Sequence, residues 1–190
     1  MNGCYINIIL YVNNITCLKG VKQGVLKKYA EYLIAKGQNI GILENDFGAV
    51  NVDMMLLQDL MGDNCELEMV SGGSDADCHR RRFKTKLIAM GMCGYDRVIV
   101  EPSGIFDVDE FFDVLHEEPL DNWYEIGNVI AIVDASMPAG MSKEAEYLFA
   151  TQISCAGQIV FSKCQETTSE RIEQTIQQMN AAMEQFGCKR

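Results

Sequence analysis

Four places in this chain put polar groups directly behind an apolar run. Glu44-Asn45-Asp46 closes NIGIL, Glu101-Pro102-Ser103-Gly104 closes RVIV, Asp134 closes NVIAIV, and Ser162-Lys163 closes QIVF. A strand must end somewhere, so one polar exit is ordinary. Several in succession are informative if the runs are parallel strands, because open α/β sheets bind ligands beyond the carboxyl ends of their strands. A carboxylate at that edge can hold a cation or its bound waters. Ser103-Gly104 makes a turn whose backbone can approach a ligand closely.

Periodicity supplies the elements that must position these residues. Segments 5–12, 39–45, 65–70, 97–101, 128–135 and 158–163 read as strands. Segments 24–37, 78–92, 107–115, 142–154 and 168–186 read as helices. In the first helix Val25, Leu26, Tyr29, Leu33 and Ile34 lie on or near one face, and Gly37 marks the stop. Strands alternate with helices, and most of the strand runs are continuously apolar. That pattern predicts an α/β fold with three layers, a mostly parallel central sheet flanked by helices. The 190 residues are read as one domain, 1–190, without a second C-terminal domain.

Composition excludes some partners. The net charge of −11 argues against unaided binding to nucleic acid or to an anionic membrane. No stretch approaches the roughly 18 apolar residues of a membrane span. The opening MNGCYINIILYV has neither a basic n-region nor a small-residue cleavage site, so a cytoplasmic location is expected. The eight cysteines contain no CxxC pair and read as reduced thiols, mostly small core residues.

Four segments then agree with one known pattern, in order and spacing. ILENDFGAVNVD (42–53) matches NEFGxxxxD, VIVEPSG (98–104) matches a Walker B variant with an acid before Ser-Gly, VIAIVDA (129–135) matches the next strand, and QIVFSKC (158–164) matches the strand ending in a base-recognition NKxD or SKxD. From about Lys28 to the last helix the chain resembles the CobW/HypB/UreG family of P-loop GTPases and metallochaperones. The resemblance implies a P-loop-NTPase-like fold and binding of GTP or another nucleoside triphosphate with Mg²⁺. It implies metal insertion or metallocofactor delivery to a metalloenzyme client, and a homodimer formed with nucleotide. It puts Glu101 beside the γ-phosphate and its metal, where a carboxylate orients water or holds a Mg²⁺ ligand. It puts Asp46 and Asp53 in the first switch, with Asp53 joining Glu101 as a catalytic candidate. Lys22, Ser103, Gly104, Ser162 and Lys163 are the further nucleotide contacts it implies.

Three departures qualify that picture. The family's GFLGxGKTT corresponds to TCLKGVKQG (16–24), where Lys22 keeps the lysine position. Thr16 and Val21 replace glycines there, Gln23 replaces the Mg²⁺-binding hydroxyl, and Gly20 and Gly24 sit at other offsets, so this is not a Walker A by pattern. Either the phosphate site is degenerate, or the first two dozen residues do not represent the native N-terminus. At the base-recognition motif, Gln165 stands where an aspartate would accept both guanine N–H groups, so little guanine preference is expected. The family's thiolate cluster GCxCC corresponds to SGGSDADCHRRRF (71–83), which keeps one thiol, Cys78. Cys78, His79 and Asp75 are the candidate ligands for zinc, nickel or cobalt, against a plainer reading of Asp75 and Asp77 as helix caps. Arg80-Arg81-Arg82 reads as a solvated helix face. The leading expectation is a nucleotide-binding protein with weakened hydrolysis. The rival is an inactive relative that uses the scaffold to bind protein or metal.

Overall fold

The computed structural model describes residues 4–12, 19–46, 57–71, 76–101, 108–137 and 140–188. Its strands are β1 Cys4–Val12, β2 Ile40–Asp46, β3 Cys65–Ser71, β4 Arg97–Glu101, β5 Tyr124–Asp134 and β6 Gln158–Ser162. Its helices are α1 Lys19–Ala35, α2 Ala76–Met92, α3 Val108–Leu115, α4 Leu120–Trp123, α5 Lys143–Ser154 and α6 Ser169–Gln185. Short 3₁₀ turns lie at Gln58–Leu60 and Cys164–Glu166. Contacts group the chain into two compact units, one of residues 1–9 and 19–127, the other of residues 10–18 and 128–190.

In the first unit the strand order is β3-β2-β4-β1, and every pair is parallel. Side chains at paired positions across such a ladder share a face. Ile40, Ile42 and Glu44 of β2 therefore line one face with Arg97, Ile99 and Glu101 of β4, while Leu43 shares the other with Val100. Residues 40–44 and 98–101 are buried on both faces, as inner strands of a helix-covered sheet must be. α1 packs on β2, and α2 packs on β3 and α4. The inner stripe of α2 is His79, Phe83, Leu87 and Met90, spaced at helical period and buried throughout. Phe83 meets Phe111 of α3 with ring centroids 5.3 Å apart.

Gly41 exists where it does because α2 comes close. A Cβ there would lie 2.6 Å from Met90 Cε and 2.9 Å from the Tyr95 ring. Met90 can move its tip, but the Tyr95 hydroxyl donates to the Glu66 carboxylate and holds the ring.

The second unit is built on the parallel pair β5 and β6. α5 and α6 pack together there, burying Phe149, Ile153, Met179 and Met183. Both helices open on side-chain caps. Ala145 N–H donates to Ser142 Oγ at 3.2 Å, and Arg171 N–H donates to Thr168 Oγ1 at 3.3 Å, worth about 1 kcal/mol each.

Most expected elements recur within a residue or two. Two differ more. α1 opens at Lys19, five positions before the expected start at residue 24, so Gly24 falls inside the helix. β5 opens at Tyr124, four positions before residue 128, because Tyr124 is buried and its hydroxyl donates to the Leu87 carbonyl at 2.7 Å, fixing the strand's start against α2. The one-turn α4 was not foreseen. Among the described residues no disulfide forms, and no helix is long and apolar enough to cross a membrane.

The Gly41 contact predicts that Gly41→Ala destabilises the fold by about 1–3 kcal/mol, the usual cost of overpacking. Denaturant unfolding measures this. An unchanged midpoint and slope would mean that Tyr95 swings aside without cost.

Candidate functional site

The carboxyl ends of β2 and β4 bring two acids together. Glu44 and Glu101 are direct partners in the parallel register, so both side chains leave the same face of the sheet. Neighbouring strands are about 4.8 Å apart. Glu44 is 3% exposed and Glu101 is 8% exposed. Two acids on adjacent strands, shielded from water, are poorly solvated and need cations or hydrogen-bond donors nearby to carry charge. Neither is isolated, since each has further interactions within the protein. Glu101 is legible in the sequence as the acid that ends an apolar run. Glu44 reads in the sequence only as part of a polar strand end, and its place opposite Glu101 follows from the register.

The same edge carries Asp46, the last residue of β2, and Lys22 lies in the first turn of α1. Asp53, Asp75, Ser103 and Gly104 lie outside the described residues. The position of α1 bears on phosphate binding. The first four N–H groups of a helix have no intrahelical partner and face outward along the axis. In α1 these include Lys19, Gly20 and Val21, and the Lys22 N–H is the first taken into the helical ladder. Gly24 lies deeper, where the helical ladder takes up its N–H.

The second unit has its own polar cluster, at the carboxyl ends of β5 and β6. Asp134 pairs in register with Ser162. Asp134 Oδ2 accepts from Lys163 Nζ at 2.5 Å, while Oδ1 accepts from the Ser136 N–H at 2.9 Å and from its hydroxyl at 2.7 Å. Burial acts to raise the Asp134 carboxyl, but the hydrogen bonds from Lys163 and Ser136 outweigh it and hold the group below the usual carboxylate range. Lys163 adopts φ 58°, in the left-handed region, and leads into the turn Cys164–Glu166 that leaves Gln165 exposed. Ser162 Oγ donates to the Val133 carbonyl at 3.3 Å. α6 grips the following turn. Thr175 Oγ1 donates to the Ala135 carbonyl at 3.0 Å, and Arg171 Nη2 donates to the Met137 carbonyl at 2.5 Å.

The expected metal residues sit differently from one another. His79 is buried on the inner stripe of α2, and Cys78 is half-buried one position away, about 100° around the helix. Among the described residues no three His, Cys, Asp or Glu side chains cluster closely enough to hold a metal. Burial pushes the Cys65 thiol up to about 11, and burial with the nearby Asp96 charge does the same for Cys4, so both stay protonated at neutral pH. The basic run of α2 turns inward on the protein's own acids. Arg80 and Lys84 both donate to Glu117, at 2.6 and 2.5 Å, and Lys86 donates to Glu68 at 2.5 Å. The hydrogen bond from Lys84, with that from Arg80, holds the Glu117 carboxyl below its ordinary range. Arg81 and Arg82 are exposed.

The family model described as CobW/HypB/UreG, nucleotide-binding domain, matches residues 21–186. The chain belongs to the CobW/HypB/UreG family. It is 26% identical over 137 residues to the zinc chaperone YeiR of Escherichia coli (strain K12), a match that takes in 72% of this chain and 40% of YeiR. The Zn(II)-bound YjiA GTPase from E. coli superposes with a TM-score of 0.56 at 19% identity, over 94% of this chain and 54% of YjiA. HypB from Helicobacter pylori in complex with nickel superposes with a TM-score of 0.52 at 16% identity, over 97% of this chain and 84% of HypB. The chain thus spans less than half the length of YeiR and about half that of YjiA. These superpositions establish the P-loop NTPase fold. Within the CobW/HypB/UreG domain, the Glu44–Glu101 pair falls in the matched span, as do Lys22, Cys78, His79, Ser162 and Lys163.

The Asp134–Lys163 pair makes a prediction about pH. A carboxyl whose folded-state pKa is depressed contributes stability that is complete above its unfolded pKa and is lost as pH falls through the folded value. Asp134→Asn removes that contribution. In urea titrations wild type should therefore lose more stability than Asp134→Asn between neutral pH and the acid range. Parallel losses in the two proteins would mean that the pair adds nothing to folding.

Proposed function

We propose that this chain binds a nucleoside triphosphate with Mg²⁺ at the carboxyl edge of β2 and β4, and that nucleotide state governs delivery of a transition metal to a metalloenzyme client. The Glu44–Glu101 pair carries this reading. Two buried carboxylates on one face suit a hard divalent cation or the waters it retains. The open N–H groups at the start of α1, with Lys22 in the same turn, suit the phosphates. Bound Mg²⁺ would supply charge neutralisation on the phosphates. Glu101 would orient a water there, with Glu44 beside it and Asp53 as the second catalytic candidate. Asp46, Ser103 and Gly104 are the contacts through which nucleotide state would be felt, and Ser162 and Lys163 belong to the base-recognition segment.

The metal is cargo in this reading. Cys78, His79 and Asp75 are the groups proposed to carry it, and zinc, nickel and cobalt fit that donor set. The zinc chaperone YeiR, Zn(II)-bound YjiA and nickel-bound HypB support the choice. Hydrolysis is inferred to be slow. Phosphoryl transfer depends on positioning and charge stabilisation, Gln23 offers no hydroxyl to Mg²⁺, and the Gly24 N–H is committed to the helix. The same observation favours the second reading, a module that binds without turnover. A homodimer and a cytoplasmic setting complete the proposal.

Calorimetric titration with GTP and Mg²⁺ tests it. Wild type should bind, and Glu44→Gln and Glu101→Gln should each lose about ten- to a hundredfold in the Mg²⁺-dependent part of the affinity, the usual cost of disturbing a metal's supporting ligands. Equal affinity in all three proteins would detach the acid pair from the nucleotide. Because Gln165 is exposed and cannot accept both guanine N–H groups, competition between GTP and ATP should show less than about a hundredfold preference, or 2.7 kcal/mol. A larger preference that vanishes in Gln165→Ala would assign guanine reading to Gln165.

A further inference from the structure

Lys163 is the first residue beyond β6, and among the described residues it alone adopts a left-handed backbone without being glycine. Such a conformation persists only where the surroundings fix it, and residues held this way cluster at ligand sites. Here the fixing groups come from the neighbouring strand. Asp134 ends β5 as Ser162 ends β6, in register, and the Ala135 N–H donates to the Ser162 carbonyl at 3.0 Å. The Lys163 ammonium reaches back to Asp134 Oδ2 at 2.5 Å, and the Glu166 N–H donates to the Lys163 carbonyl at 2.9 Å.

The four-carbon stem of the lysine is therefore drawn from the end of β6 toward the end of β5, along the carboxyl edge, instead of out into solvent. Holding a lysine costs rotamer entropy that a solvent-screened ion pair seldom offsets. This pair is shielded, with the lysine side chain 16% and the aspartate side chain 11% exposed. The carboxylate is itself fixed. Ser136 gives its N–H and its hydroxyl to Oδ1, while Thr175 and Arg171 hold the carbonyls of Ala135 and Met137 on either side. With its charge matched by Asp134, what Lys163 offers a ligand is the stem, the part of a lysine that packs along flat apolar surface. The edge of a base has no comparable reader at residue 165, where an exposed glutamine cannot accept from both guanine N–H groups.

We propose that Asp134 is a positioning residue for the nucleotide base, holding the Lys163 stem across the carboxyl ends of β5 and β6 to receive the face of the ring, a role that rests on the nucleotide-binding reading above. The ligand class follows from it. The site takes purine nucleoside triphosphates, chosen by the area of the ring face and not by the groups on its edge. A purine covers more of the stem than a pyrimidine does, a difference in apolar contact that corresponds to about three- to tenfold in affinity. Asp134 touches no part of the nucleotide and acts only through Lys163.

Calorimetric titration of the full chain with GTP, ATP and UTP, each with Mg²⁺, tests this, at a temperature where circular dichroism shows every variant folded. Wild type should bind GTP and ATP alike, and both about three- to tenfold more tightly than UTP. Asp134→Asn should bring GTP and ATP down toward the UTP value while UTP itself changes less. Lys163→Gly removes the stem in a residue that accepts a φ of 58° freely, and it should also abolish the purine preference. Lys163→Arg keeps a long stem and a cation for Asp134, and it should retain the preference. The ratio of ATP to UTP affinity is the readout, because a purely structural pair would lower both together. No binding of any nucleotide to wild type would overturn the nucleotide-binding reading, and the role of Asp134 with it. Nucleotides that bind while wild type takes UTP as tightly as ATP, a preference that survives in Asp134→Asn or Lys163→Gly, a preference lost in Lys163→Arg, or equal losses for all three nucleotides in Asp134→Asn would each overturn the positioning role alone.

Discussion

β2 is hemmed in on four sides. β3 and β4 hold its edges in parallel register, and residues 40–44 are buried on both faces. A strand so placed cannot slip, because a shift of one residue would turn Ile40, Ile42 and Glu44 to the opposite face. That constraint is what sets Glu44 against Glu101. The helix face makes the same demand from outside. α2 lies so near β2 that Gly41 has no room for a side chain, and α2 is anchored in turn by Lys86 on Glu68 and by Arg80 and Lys84 on Glu117. Two buried like charges are an unfavourable arrangement for folding alone. The ladder enforces it all the same, and each acid has further interactions within the protein.

The start of α1 works in a different direction. A phosphate loop needs backbone N–H groups that are turned outward and uncommitted, and glycine makes such turns accessible. Here the helix begins at Lys19 and takes Gly20 and Gly24 into its own turns. Helix ladders satisfy N–H groups efficiently, so each residue gained by α1 is one donor withdrawn from any ligand beyond its first turn. Among the described residues, what the start of α1 offers is the general anion affinity of a helix N-terminus.

How much of this was legible in the sequence depends on the range of the interaction. The alternation of strands and helices was visible, because apolar periodicity is local, and so was the exit of β4 at Glu101. The stop of α1 was visible in Gly37, which takes φ 77°. The helix start was not, because glycine lowers helix propensity by only about 1 kcal/mol and neighbouring packing overrides it. Glu44 was hidden by register, a property of two strands 57 residues apart in the chain that neither reveals alone. The early start of β5 was hidden for the same reason, since Tyr124 is fixed by the Leu87 carbonyl on another element. His79 shows the reverse case. Next to Cys78 it reads as a ligand, yet its spacing to Phe83, Leu87 and Met90 already marks the buried stripe of an amphipathic helix.

The polar residues of the second unit show how a motif can hold a segment in place. Lys163 sits in left-handed backbone, a conformation that costs a non-glycine residue roughly 1–2 kcal/mol. Its ammonium is compensated by Asp134, whose other oxygen binds Ser136 twice, and the turn beyond is tied to α6 through Thr175 and Arg171. Each of these groups would leave a partner unsatisfied if removed, and an orphaned buried group costs more than the hydrogen bond itself gains. The network therefore fixes the carboxyl ends of β5 and β6 whatever stands at Gln165, which is exposed and outside it. A position outside such a network can change without disturbing the fold, whereas Asp134 and Lys163 cannot. That difference in coupling separates residue 165, which is open to substitution, from Asp134 and Lys163, which hold the segment together.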